Sequence, residues 1–150
     1  MTNPAIRPHR INLDGWSETE TRLGAVALYP GQFVVIDTNG KYALANAATD
    51  LRKQLRIVGK GSSEGLDIAE QIPAGHSVVA DYVKPGRHFA ARLPANAALK
   101  FDTPLTLDAA TGDLKIATIT GDTPDTVVAY SQETYTVHAD GKQLVIVRMA

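Results

Sequence analysis

A short apolar run, a polar turn containing glycine and a returning run of alternating apolar residues occur twice in this chain. Ile36-Asp37-Thr38-Asn39-Gly40-Lys41-Tyr42-Ala43-Leu44-Ala45 is echoed by Leu107-Asp108-Ala109-Ala110-Thr111-Gly112-Asp113-Leu114-Lys115-Ile116-Ala117. Each copy is followed by a further apolar run, Ile57-Val58 or Val127-Val128, and then by another hairpin pattern. Strand-period segments separated by glycine turns bury their side chains only by pairing with one another. The repetition predicts an all-β scaffold that presents surface, a small β-barrel or sandwich of short hairpins. At most one short helix is expected, over residues 66–72, which is too short to be stable alone.

The turns are the sharpest local signals. Asn39-Gly40 and Asp140-Gly141 each predict a type I′ hairpin turn, with positive φ at both central positions. Lys84-Pro85-Gly86-Arg87 predicts a turn joining a strand at 77–83 to one at 88–93, because proline presets φ and glycine accepts the positive value. The β-rich body is expected over residues 24–150, in two loosely related halves at about 29–93 and 101–149. A strand as apolar as Leu144-Val145-Ile146-Val147 at an open edge invites aggregation, so closure of the sheet is expected.

Residues 1–23 read differently. Pro4 and Pro8 exclude a helix and remove strand donors, which leaves an extended N-terminal arm. Ile6, Ile11, Leu13 and Trp16 are spaced apolar residues in this arm, interleaved with Arg7 and Arg10. They are candidates for anchoring a partner surface. Packing on the parent body is the other reading, and the sequence leaves both open.

Chemistry is harder to find. No cysteine is present, which excludes disulfides and thiolate metal sites. The 15 basic and 16 acidic residues are well mixed and give a net charge of −1, so no field draws in nucleic acid or anionic lipid. No run approaches the roughly 20 apolar residues of a membrane helix, and residues 1–7 lack a signal-peptide core. Gly59-Lys60-Gly61-Ser62-Ser63 lacks P-loop spacing. His9, His76, His88 and His138 show no metal-ligand spacing. Asp37 and Asp108 occupy equivalent places in the echo, where an aspartate caps a turn through its side chain. No catalytic, cofactor-binding or metal-ligating residues are assigned, and the chain is not expected to be an enzyme. An alternative is a β-barrel module for a small molecule or carbohydrate, with Tyr29, Tyr42, Tyr82, Tyr130 and Tyr135 as candidate lining.

Tyr29-Pro30-Gly31-Gln32-Phe33-Val34-Val35-Ile36 through Ala45 resembles the capsid decoration, or cement, proteins of tailed bacteriophages. So does the stretch from Asp81-Tyr82-Val83-Lys84-Pro85-Gly86 through Arg92-Leu93-Pro94-Ala95 to Asp102-Thr103-Pro104-Leu105. The ending, Gly141 to Arg148, is similar to the family's terminal strand. The resemblance spans roughly residues 24–149. It implies a structural virion protein on the capsid exterior, made in the host cytoplasm. Such a protein stabilises the shell by bridging major capsid protein subunits, often as a homotrimer, with an arm reaching over the surface.

Overall fold

A computed structural model describes residues 7–15, 17–46, 50, 52–61, 65–108 and 110–150. Ile6 and Trp16, two of the expected anchors, lie outside the described residues. Twelve strands occur among those described: β1 Thr19–Leu23, β2 Phe33–Ile36, β3 Tyr42–Leu44, β4 Arg56–Val58, β5 Ser77–Tyr82, β6 His88–Leu93, β7 Ala98–Leu99, β8 Pro104–Leu107, β9 Leu114–Ile116, β10 Ala129–Ser131, β11 Tyr135–Thr136 and β12 Gln143–Met149. The protein is all-β, with no helix among the described residues. Residues 66–72 form a turn that ends in a bridge at Ile72.

The sequence echo marks a repeated topology. The first sheet has the order β1-β5-β4-β2-β3 and the second β6-β12-β10-β8-β9, both antiparallel throughout. Setting aside β7 and β11, which pair with each other, the two sheets use their five strands in the same permutation. Register agrees as well. Ile36↔Tyr42 corresponds to Leu107↔Leu114, and Val34↔Arg56 to Leu105↔Ala129. Ile57↔Asp81 corresponds to Tyr130↔Arg148, and Asp81↔Thr19 to Arg148↔His88. No ladder slips against its counterpart, so the chain is two copies of one five-stranded unit.

This places the boundary between units at the Lys84–Arg87 turn rather than between residues 93 and 101. β6 opens the second unit and β1 opens the first, so the arm is shorter than the expected 1–23. β5 and β6 do not form a hairpin. Both edges of β5 are taken, by β1 and β4, and the turn instead carries the chain from one sheet to the other. The expected terminal hairpin is also rearranged. β11 pairs with β7, while β12 lies between β6 and β10. Its apolar run is therefore covered on both sides, and the fold needs no closed barrel to protect it. The result is a sandwich.

The inner layer explains the strand sequences. Phe33, Val35 and Ile57 of the first sheet pack with Phe89, Ala91, Leu93, Leu105, Leu107, Val145 and Val147 of the second. Val34, Val58, Val78 and Ala80 belong to a separate cluster with Tyr42, closed by Leu28 and Ile72. Leu28 and Ile72 exchange backbone hydrogen bonds of 2.9 and 2.7 Å. β2 is buried on both faces, which accounts for its unbroken apolar run.

Both echo turns are fixed by aspartate. Asp37 Oδ1 accepts from the N–H of Asn39 at 2.8 Å and of Lys41 at 3.0 Å, and Asp108 Oδ1 accepts from the N–H of Ala110 at 2.9 Å. Positive φ falls on Gly40 (74°) but not on Asn39, so the first turn is not type I′. It is a type I turn closed by a left-handed glycine. The second turn also joins the units. Phe33 N–H donates to Gly112 O at 2.8 Å, and Gln32 Nε2 to Thr111 O at 3.0 Å. Gly112 has φ 71°, and a Cβ there would lie 2.8 Å from Leu44 Cδ2, so no side chain fits without strain.

Candidate functional site

The arm is laid along the free edge of β6. Ala90 N–H donates to Ile11 O at 2.8 Å and Leu13 N–H to His88 O at 3.2 Å, around an antiparallel bridge between Asn12 and Phe89. The Ile11 side chain belongs to the main core, where it is 3 % exposed. Ile11 thus anchors the arm to its own body and offers nothing to a partner. Leu13 points elsewhere, into a hollow of about 340 Å³ that it lines with Arg7, Pro8, His9, Arg10 and Ile146.

Arg7 is the second fastening. Its guanidinium donates to both carboxylate oxygens of Glu133, at 2.8 and 2.7 Å, and to Leu144 O at 2.9 Å. It also stacks 3.7 Å from the centre of the Tyr135 ring. Glu133 accepts a further bond from Ile146 N–H at 2.8 Å. Burial works to raise the Glu133 pKa, but Arg7 and the Ile146 N–H outweigh it and hold it below the usual value. A bidentate pair of this kind fixes orientation as well as position.

Asp14 closes the arm. It accepts from His88 N–H at 3.0 Å and Arg87 Nε at 3.3 Å, with His88 Nδ1 3.4 Å away. Burial opposes ionisation here too, but these donors win and the pKa is lowered.

Of the expected partner-binding residues, the structure brings Arg7, Arg10 and Leu13 to one hollow, and it commits Ile11 to the core. Arg10 is exposed beside the hollow. Glu133, Tyr135, Leu144 and Asp14 were not foreseen as parts of the site. Nothing in their spacing gives them away, because they meet the arm only through the fold.

The tyrosines form no common lining. Tyr42 is fully buried, its hydroxyl donates to Glu20 O at 2.7 Å, and burial pushes its pKa up to about 12. The other four each carry an arginine on one face: Arg92 on Tyr29, Arg56 on Tyr82, Arg148 on Tyr130 and Arg7 on Tyr135. Arg56 also bonds Glu20 at 3.0 Å, and Glu20 receives Arg22 at 2.7 Å and the Tyr82 hydroxyl at 3.2 Å. The Arg22 hydrogen bond lowers the Glu20 pKa despite partial burial. Among the described residues no group of three or more histidine, aspartate or glutamate side chains is arranged to hold a metal ion.

No known protein family matches the chain, and no curated protein matches it.

Proposed function

We propose that this is a structural virion protein that binds the outer surface of a tailed-phage capsid and bridges major capsid protein subunits. The observation that carries the reading is the duplication. The hairpin on which the resemblance begins, β2–β3, has a counterpart in β8–β9 at the same place in the second sheet. A rigid body made of two like units suits the bridging of like neighbours in a lattice. The hollow at Arg7, Arg10 and Leu13 supplies an apolar floor with cationic neighbours for one such contact. A protein that binds only the assembled shell stabilises it by the free energy of binding, RT ln(1 + [L]/Kd) for each site. The work is mechanical and requires no turnover.

The test uses the full chain, since deleting the expected arm would remove β1 and Ile11. Purified protein is mixed with expanded and unexpanded shells of the phage that encodes it, and co-sedimentation is measured. Saturable binding is expected, with a loss of about tenfold or more in Arg10→Glu and Leu13→Asp, as for substitutions near the centre of an interface. Absence of wild-type binding refutes the function. Undiminished binding by both variants refutes the role of the hollow.

A further inference from the structure

A second hollow, of about 300 Å³, lies where the two units and the arm meet. Three cations line it from three separate parts of the chain: Arg7 of the arm, Arg92 of β6 and Lys142 just before β12. The walls between them are apolar, with Pro8 of the arm, Ile68 of the first unit and Leu144 of β12. The base of the junction is rigid. Arg92 N–H donates to Gly31 O at 3.2 Å, and a Cβ on Gly31 would lie 2.6 Å from Leu144 Cδ2 and 3.0 Å from Arg92 Cγ.

Two of the cations are already bonded. Arg7 is held by Glu133 and Tyr135, as described above, and Lys142 Nζ donates to Asp113 Oδ2. Asp113 is 2 % exposed and does not line the hollow. Arg92 differs. It stacks 4.3 Å from the centre of the Tyr29 ring, and its Nε lies 3.7 Å from Asp113 Oδ1, beyond hydrogen-bond reach. Among the described residues its guanidinium makes no hydrogen bond, although the side chain is only 14 % exposed. Donors held out of water without an acceptor are costly. Three cations against the carboxylates of Glu133 and Asp113 also leave one positive charge unbalanced.

We propose that this hollow binds a small monocarboxylate with a short apolar body. The carboxylate supplies the acceptor that Arg92 lacks and balances the surplus charge, and its hydrocarbon lies on Pro8, Ile68 and Leu144. A guanidinium presents its donors in a fork that matches a carboxylate. At about 30 Å³ for each water-sized group, the hollow has room for about ten non-hydrogen atoms, enough for hexanoate. A bare inorganic anion would leave the apolar walls wet. Ligand sites favour junctions of this kind, where apolar surface meets a few placed polar groups. Register puts Leu23 where the second unit has Arg92, so the site occurs once in the chain despite the duplication. It does not depend on shell binding.

Hexanoate tests the proposal against three controls. Hexanamide has the same size without the charge, acetate has the charge without the body, and inorganic phosphate has neither the body nor a carboxylate. Each is titrated into the isotope-labelled full chain and followed by amide chemical shifts, up to about 20 mM because a ligand this small binds modestly. Hexanoate is expected to saturate one site, with shifts centred on Ala69, Arg92 and residues 142–144. The controls are expected to bind about tenfold more weakly or worse. Arg92→Gln should weaken hexanoate by about tenfold or more. Ala69→Glu sets a carboxylate at the hollow from an exposed turn, so it should block hexanoate and keep a native spectrum. It carries the test if Arg92→Gln does not fold. Absence of saturable hexanoate binding, shifts centred elsewhere, equal binding of any control, or undiminished binding by either folded variant overturns the proposal.

Discussion

Ile11→Ala distinguishes an arm that belongs to the body from one that waits for a partner. The substitution removes three carbons from a side chain that is 3 % exposed in the main core. Transfer alone is worth about 0.8 kcal/mol per methylene, or about 2.4 kcal/mol. The cavity left behind adds to this, as in other large-to-small substitutions, and brings the expected loss to about 3 kcal/mol. For a domain of this size each kcal/mol moves Tm by about 2–4 °C, so a fall of about 6–12 °C is expected. Urea unfolding followed by tryptophan fluorescence and circular dichroism measures the free energy, and calorimetry measures Tm. The change should appear in the midpoint, with the slope unaltered, because the same surface is exposed on unfolding. A loss under about 0.5 kcal/mol, the range of ordinary surface substitutions, would refute the placement of Ile11 in the core.

Arg7→Ala should destabilise the protein by about 2–3 kcal/mol at pH 7, since it leaves Glu133 with one backbone donor in a partly buried place. The folded Glu133 pKa lies below its unfolded value, so its contribution is fully present above 4.5 and is lost as pH falls through the folded value. The difference between wild type and Arg7→Ala should close over that window, and a gap that persists unchanged at pH 3 counts against the pair. Asp81 carries the opposite sign. It is 6 % exposed, burial raises its pKa against the pull of Arg87, and Oδ1 has no hydrogen-bond partner. The folded state therefore holds a proton that the unfolded chain releases above 3.8, and stability falls as pH rises through the interval. Asp81→Asn should be more stable by about 1 kcal/mol at pH 7, the lower end of the cost of an unsatisfied buried acceptor, with the advantage vanishing below pH 3.8. A melting curve for Asp81→Asn that lies below the wild type at pH 7 refutes this.

Local chemistry was legible in the sequence wherever it decided structure by itself. The echo and the aspartate-capped turns follow from alternation and turn residues, and the strand over residues 33–36 from its run of aromatic and β-branched side chains. Strand partnership was not legible. β12 and β6 pair across 50 to 60 positions of chain, from Gln143↔Leu93 to Arg148↔His88, and no local pattern says that Lys84–Arg87 changes sheets instead of closing a hairpin. Ile11 shows the same limit at the site. Its apolar character signalled an anchor, but whether the anchor holds its own body or another molecule depends on β6 leaving an edge free nearby. The arginines on the tyrosine rings lie equally beyond reach, because each pair is assembled from separate strands and turns.

Arg7 and Glu133 stand 126 positions apart. Ordering the chain between them has to come first, since a loop of that length gains little until the sheets inside it exist. The clasp should therefore close last during folding and open first under stress. Amide exchange would show it: residues 11–13 and the outward N–H of Ala90 should exchange sooner than the protons of β12 beside them, in a unit that detaches while the sandwich stays intact.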